Sequence, residues 1–152
     1  MEITCRTLGL QELQRRLETI KNLDRDPRVD RALGRGASMM QGQVKLLTPT
    51  GNPGTGYLKN SIINNHVKMM EYSVETNCEY AIYVEFGTGK LGDPSVPHTS
   101  KDSWTYYSDA LHRFVTTHGQ EPAAMFRQGF QAAKDQVYVY VKRQVEEIIA
   151  NG

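Results

Sequence analysis

The sequence has 152 residues, which fits one domain, 1–152, large enough to bury a core. Its 18 Lys and Arg nearly balance its 17 Asp and Glu, and a formal net charge of +1 argues against a dedicated nucleic-acid binder. No apolar run approaches 18 residues, and no basic segment followed by an apolar one opens the sequence. We therefore expect neither a membrane span nor a signal peptide.

A first amphipathic helix is predicted from about Gly9 to Leu23. Its large aliphatic side chains recur at spacings of three and four residues: Leu10, Leu13, Leu17 and Ile20. This spacing places them in one apolar stripe, with charged and amide side chains on the other faces. The stretch 22–27 ends the helix, since Asp26 followed by Pro27 is typical of an N-cap and the first residue of a new helix.

The second helix is predicted from Pro27 to about Leu46, because apolar residues continue at helical spacing. Gly34, Gly36 and Gly42 lie inside it. Each glycine costs about 1 kcal/mol of helix propensity relative to alanine. Their presence indicates either close packing against another element or fraying of the helix.

The middle of the chain predicts a loop followed by a hairpin. Proline and glycine are concentrated in 48–56, which is therefore expected to be irregular. Leu58–Lys68 and Tyr72–Asn77 are predicted as two strands, with a tight turn at Met70 and Glu71.

A charge difference runs along the chain as well, since 1–48 holds nine basic and six acidic residues and 49–121 holds five and eight. A basic surface on one copy could thus meet an acidic surface on another and favour head-to-tail association, but ordinary surface scatter is the more common origin of such counts.

The last third of the sequence predicts a loop, a second hairpin and a long helix. Residues 90–102 are expected to be loop, and Trp104–Tyr107 with Arg113–Thr117 are predicted strands. A long apolar stripe predicts a helix from near Pro122 to Asn151. The expected fold is α+β, in which the N-terminal helices and the long C-terminal helix pack on a small antiparallel β-sheet with long loops.

Candidate catalytic residues are few, and no enzymatic activity or cofactor is expected. The histidines show no metal-binding spacing along a helix. The alternative is a metal site formed by three histidines and an aspartate: His98, His112 and His118 with Asp93 or Asp109. Cys78 near a histidine would be a candidate nucleophile, but a lone cysteine at a strand end is more often a small buried apolar group. Cys5 and Cys78 are interpreted as reduced thiols, since two cysteines are too few for a disulfide scaffold.

A row of basic residues on the second helix offers a nucleic-acid interpretation. Arg28, Arg31, Arg35 and Lys45 can share one helical face. Such a row would contact phosphates if it lined a DNA channel. Such a row is more often the solvated face of an amphipathic helix, and no interleaved aromatic residues indicate base stacking.

The segment Tyr80–Gly89 is the densest local signal, and within it Tyr80–Phe86 fits either a helix or a strand that ends at the glycines. Aromatic and branched residues surround a single carboxylate, Glu85, and two glycines follow it. A partly buried carboxylate needs a hydrogen-bond donor or a cation, and Gly87 and Gly89 allow the backbone to turn sharply. These features are typical of a packed structural turn more than of a reaction centre.

This segment closely resembles a signature of tailed-phage tail-component proteins, the neck or head–tail joining proteins of long-tailed phages. The resembling residues are Tyr80, Tyr83, Val84, Glu85, Phe86, Gly87, Thr88 and Gly89. A second motif of that family, Thr-Gly-x-Leu-x-x-Ser-Ile, matches at five positions: Thr55, Gly56, Leu58, Ser61 and Ile62. The start of the last helix, 120–130, fits the family loosely, while extra residues before Thr55 and a long insertion over 90–119 depart from it.

The resemblance implies a structural protein of the virion, made in the host cytoplasm and located in the neck or tail. Such proteins form a ring that joins the head connector to the tail around the DNA channel, and a hexamer is favoured over a dodecamer. The implied partners are head-completion or connector proteins, the tail terminator or tail tube protein, and genomic DNA passing through, with no membrane. The alternative is a transient tail-assembly or minor capsid factor that the virion does not retain.

In such a ring, three aromatic residues are candidates for inter-subunit contacts or, equally, for the core: Trp104, Tyr106 and Tyr107. Arg28, Arg31 and Arg35 become candidates for lining the DNA channel. The loops at 48–57 and 90–103 are expected to reach neighbouring rings.

Overall fold

The computed structural model describes residues 10–51, 56–109 and 111–151. Its helices are α1 (Leu10–Lys21), α2 (Pro27–Leu47), α3 (Tyr57–Ser61), α4 (Ala81–Phe86) and α5 (Met125–Asn151). Its strands are β1 (Ile62–Lys68), β2 (Glu71–Thr76), β3 (Trp104–Ser108) and β4 (Arg113–Thr117). Short 3-10 turns lie at Leu23–Arg25 and Gly89–Leu91. The α+β class predicted from the sequence is confirmed.

Helices α2 and α5 form the centre of the molecule and pack closely along one another. A Cβ atom added at Gly129 of α5 would lie 2.9 Å from the Cα of Val44, and one at Gly36 of α2 would lie 2.8 Å from Val137. Gly34 similarly faces the ring of Tyr72. Close packing, one of the two explanations offered for these glycines, is confirmed at Gly34 and Gly36, whereas Gly42 faces open space.

The first hairpin, β1–β2, packs on α2 and differs from the prediction at both ends. Its turn lies at Met69 and Met70, one residue earlier than expected, and Met70 adopts a positive φ of 65°. The carboxylate of Asp30 on α2 accepts the N–H of Met70 at 2.7 Å, which stabilises this unfavourable turn residue.

The predicted strand over 58–68 is wrong in its first residues, which form α3 instead. Gly56 has a left-handed φ of 65°, and its carbonyl oxygen accepts the N–H of Asn60 at 2.9 Å. The chain therefore completes one helical turn before it extends into β1.

The second hairpin, β3–β4, is a separate two-stranded sheet. The prediction of one small sheet is wrong on this point: β1–β2 packs on α2, whereas Trp104 of β3 packs against Gly89. The predicted bounds of β3 and β4 agree with the structure to within one residue.

The core lies where α2, α3, β1, α4 and α5 meet. Its buried side chains are Val44, Leu58, Ile62, Cys78, Ala81 and Met125. Cys78 is a free, buried thiol, which confirms its interpretation as a small apolar group. Cys5 lies outside the described residues.

Candidate functional site: a capped junction beside an aromatic groove

The carboxylate of Glu85 joins the end of α4 to the start of α5. It is buried, and it accepts the backbone N–H groups of Phe126 at 2.9 Å and Arg127 at 3.2 Å. These are the second and third residues of α5, whose N–H groups an N-cap side chain normally satisfies. The residue before α5 is Ala124, which has no side-chain acceptor, so Glu85 caps the helix from a distance in sequence. Its negative charge also suits the positive end of the α5 dipole.

Arg127 completes the junction by reaching two carboxylates. Its guanidinium donates to Glu85 at 3.2 Å and to Asp93 at 2.5 Å, and it lies 4.9 Å from the centre of the Phe86 ring. The hydroxyl and N–H of Ser95, followed by Arg127, lower the pKa of Asp93 to about 2. The expected need of Glu85 for a donor or cation is thus confirmed.

The glycines of the same segment allow two backbone stretches to cross. Thr88 and Gln120 form an antiparallel bridge, in which the N–H of Thr88 donates to the Gln120 carbonyl at 2.9 Å. Gly87 has a φ of 71°, and a Cβ there would lie 2.5 Å from the Gln120 oxygen. Only glycine fits this conformation and this approach.

A groove of about 760 Å³ lies next to the junction, and we name it the aromatic groove. Helix α4 and the glycine segment form one wall, the loop around Val96–Thr99 a second, and the β3–β4 hairpin a third. Its large side chains are Tyr80, Ile82, Tyr83, Phe86, Trp104 and Tyr106. Tyr83 and Tyr106 are about half exposed, so the groove is an apolar surface open to solvent.

Comparison with known families finds one match. Residues 11–87 match the model of a family described as "Bacteriophage HK97-gp10, putative tail-component". This is just over half of the chain. The chain belongs to the HK97-gp10-like family. No curated protein matches the chain significantly, and neither does any solved structure.

Membership identifies the protein as a bacteriophage tail component, and the expected resemblance is confirmed at this level. It also points to the virion as the location of the protein. The match runs from α1 through Gly87 of the glycine segment. The loosely fitting start of α5 and the insertion before it lie outside the matched region. Within the described residues no helix is long and apolar enough to cross a membrane.

The second family motif, which spans 55–62, lies in the core and at its edge. Leu58 and Ile62 are core residues, and the hydroxyl of Ser61 lies 2.6 Å from that of Thr76 on β2. Gly56 starts α3 in the left-handed conformation. Thr55 lies outside the described residues. The motif thus packs the start of β1 against α2, where Val44 joins the same cluster and the Gln41 side chain donates to the Ile62 carbonyl at 2.8 Å.

The three aromatic residues predicted as contacts or core separate into two environments. Trp104 is partly buried, and its ring lies against Gly89, where an added Cβ would be 2.9 Å away. Tyr106 lines the aromatic groove, whereas Tyr107 contacts Phe114 across the hairpin with ring centres 5.3 Å apart. Their role in subunit contacts stays a prediction.

The three arginines of α2 line a second groove, between α2 and α5, which we name the basic groove. Arg28 is held by Asp26 at 2.7 Å, while Arg31 and Arg35 have no ion pair with any residue that the structure describes. Glu147 of α5 lies in the same groove and is paired with Arg143. The lining of a DNA channel by this row stays a prediction.

The histidine-based metal site is not formed, since no group of three His, Cys, Asp or Glu residues in the described ranges can hold a metal ion.

The loop over 90–103 is held by contacts to α4 and within itself, unlike an extended arm. The N–H of Asp93 donates to the Phe86 carbonyl at 2.7 Å, and Lys90 is paired with Asp102.

Sequence reasoning missed the structural roles of Arg127, Asp93 and Asp30, and it considered Asp93 only as a candidate metal ligand. Arg127 meets Glu85 across 42 residues of sequence and Asp93 across 34, and Asp30 of α2 stabilises the β1–β2 turn. The N–H of Met70, and then the hydroxyl of Tyr72, hold the pKa of Asp30 below its usual range. Each is a charged residue in an ordinary helix or loop sequence, so no local signal marks it.

Proposed function

We propose that this tail component is a structural ring protein of the phage neck, which joins the head connector to the tail and completes the tail around the DNA channel. The family match over residues 11–87 carries the proposal. The exposed apolar surfaces of the chain support it, because an assembly protein must keep such surfaces for its neighbours. A hexameric ring matching a tail tube is the proposed form, with a portal-like dodecamer as the second possibility. No catalytic activity is proposed.

The proposed partners are a head-completion or connector protein on one side and a tail terminator or tail tube protein on the other. Genomic DNA passes through the ring without sequence recognition. Arg31 and Arg35 support a position for the basic groove near that passage, because neither forms an ion pair with a described carboxylate.

Cryo-electron microscopy of the head–tail junction in purified particles tests the proposal. A closed ring of this chain between connector and tail tube is the expected result, and its symmetry counts the copies. A chain that is present in infected cells but absent from intact particles would overturn the neck position and favour a transient tail-assembly or minor capsid factor.

The DNA contact has its own test. Changing both Arg31 and Arg35 to Ala should weaken non-specific DNA binding and reduce its dependence on salt concentration. Changing Arg15 and Arg16 to Ala is the matched control, since both are engaged by Glu12 on α1. Equal losses in the two variants would contradict a specific role of the basic groove.

A further inference from the structure

We infer that copies of this chain associate head to tail, with α1 of one copy lying in the aromatic groove of the next. The inference rests on the proposed ring and names the two surfaces that make its contacts. A heterologous contact requires two different, complementary surfaces on each chain. The stripe on α1 is convex and the aromatic groove is concave.

Helix α1 has little cover from the part of its own chain that the structure describes. It has 12 residues, none of which is buried, and Leu13 and Leu17 remain 53% and 55% exposed. Among the described elements, its main contacts are to α5 and to the 3-10 turn that follows it. Helices of this length are marginal in water when little packs against them. The stripe therefore requires an apolar partner.

The aromatic groove has the composition and shape that receive such a helix. Apolar helices dock in grooves through side chains spaced by three and four residues, which is the spacing of the α1 stripe. Large aromatic side chains dominate the energy of protein interfaces, and Tyr80, Tyr83 and Tyr106 line this groove. None of them is fully buried.

Charge favours this groove over a competing one. Glu79 and Glu121 adjoin the lining residues Tyr80 and Gln120, and neither has an ion pair with any described residue. Lys21, at the end of α1, is likewise without an ion pair in the described part of the chain. Opposite charges that are unneutralised within one chain become complementary between two copies.

The competing groove lies between α2, α5 and β2 and has a volume of about 800 Å³. Its charged residues are already neutralised within the chain. Glu71 is paired with Lys68, and Arg127 is paired with Glu85 and Asp93. This groove therefore offers no free charge to a basic helix end.

Four variants test the contact by sedimentation velocity over a range of concentrations. Leu17→Glu places a carboxylate on the stripe, and Gln11→Glu places the same group on a polar face of the same helix. Tyr83→Glu changes the aromatic groove, and Phe130→Glu changes a residue of similar exposure in the competing groove (58% and 51%). Glu retains helix propensity in all four.

We expect the unchanged protein, Gln11→Glu and Phe130→Glu to assemble alike. Leu17→Glu and Tyr83→Glu should remain monomeric, or need at least tenfold higher concentration, with unchanged circular dichroism. An equimolar mixture of these two should form a one-to-one dimer, because one intact α1 and one intact groove remain in the pair. If Tyr83→Glu loses its helical signal, Tyr106→Glu tests the same groove from β3.

Several outcomes overturn the inference. They are a monomeric unchanged protein at every concentration, assembly that survives Leu17→Glu, and loss of assembly with Phe130→Glu but not with groove variants. Particles that still contain a ring of the Leu17→Glu chain would refute this contact and leave the proposed function standing. Absence of the chain from particles, with the contact intact in solution, would refute the proposed function and leave this contact standing.

Discussion

At the α4–α5 junction, one buried carboxylate receives two backbone N–H groups and a guanidinium, whereas α1 carries four half-exposed aliphatic side chains and buries none. The difference lies in what each region needs from outside. The junction satisfies its charges and its helix end within the chain, so it is a stable frame. Helix α1 leaves apolar surface unsatisfied, and its stability depends on what covers it.

The largest expected effect is at the junction. Glu85→Ala removes the cap of α5 and leaves the charge of Arg127 with one partner fewer, which we expect to cost roughly 2–5 kcal/mol of unfolding free energy. The unfolding free energy of Glu85→Gln should lie between those of the unchanged protein and Glu85→Ala, since an amide oxygen still accepts an N–H but carries no charge. Urea denaturation measures all three proteins, and a Glu85→Ala midpoint equal to that of the unchanged protein would contradict the capping role.

A smaller loss is expected where the backbone stretches cross. Gly87→Ala forces an L-residue into a φ of 71° and places its Cβ against the Gln120 oxygen, so we expect a cost of about 1–3 kcal/mol. Gly42→Ala is the matched control, because its Cβ meets nothing within 4 Å. It should stabilise α2 by up to about 1 kcal/mol. Thermal unfolding of both variants compares them, and equal shifts would refute the crossing argument.

The junction should also make stability depend on pH. The pKa of Asp93 is about 2 in the folded protein, below its ordinary value of 3.8, because Ser95 and then Arg127 favour the carboxylate. Its contribution to stability is therefore present above about pH 4 and is lost as the pH falls towards about 2. Urea titrations across this range measure the slope. Asp93→Asn should flatten it, and an unchanged slope would show that other carboxylates account for the acid loss.

The smallest effect on the isolated chain is expected in α1. Leu17→Ala should cost less than about 1 kcal/mol at concentrations where the chain is monomeric, because the side chain is already half exposed. Ile62→Ala, at a fully buried core position, should cost about 2–5 kcal/mol. Chemical denaturation at low concentration provides the comparison, and equal losses would mean that α1 is covered within its own chain.

Much of the fold could be predicted because its signals are local. Apolar periodicity gave α1, α2 and α5 close to their observed bounds, and β-branched and aromatic residues predicted both hairpins. The five residues of α3 were missed, since a left-handed glycine and one hydrogen-bonded turn override the strand-like pattern that follows. The separation of the two hairpins into two sheets also has no local signal.

The candidate site was predictable in part for the same reason. A carboxylate among apolar residues, followed by glycines, is visible in the sequence, and the need of Glu85 for a partner follows from it. The identity of that partner is not visible, because Arg127 is 42 residues away and only the packing of α4 against α5 brings it near.

By itself, the sequence determined the long helices, the hairpins and the family, and it showed that the carboxylate of Glu85 needs a donor or a cation. Propensity, periodicity and motif all act over a few neighbouring residues. The tertiary structure alone decided which groups bind Glu85, where α3 replaces the first residues of the predicted strand, and which apolar surfaces stay exposed. These depend on contacts between distant segments, since a buried charge takes whatever partner the packing of the whole chain places beside it.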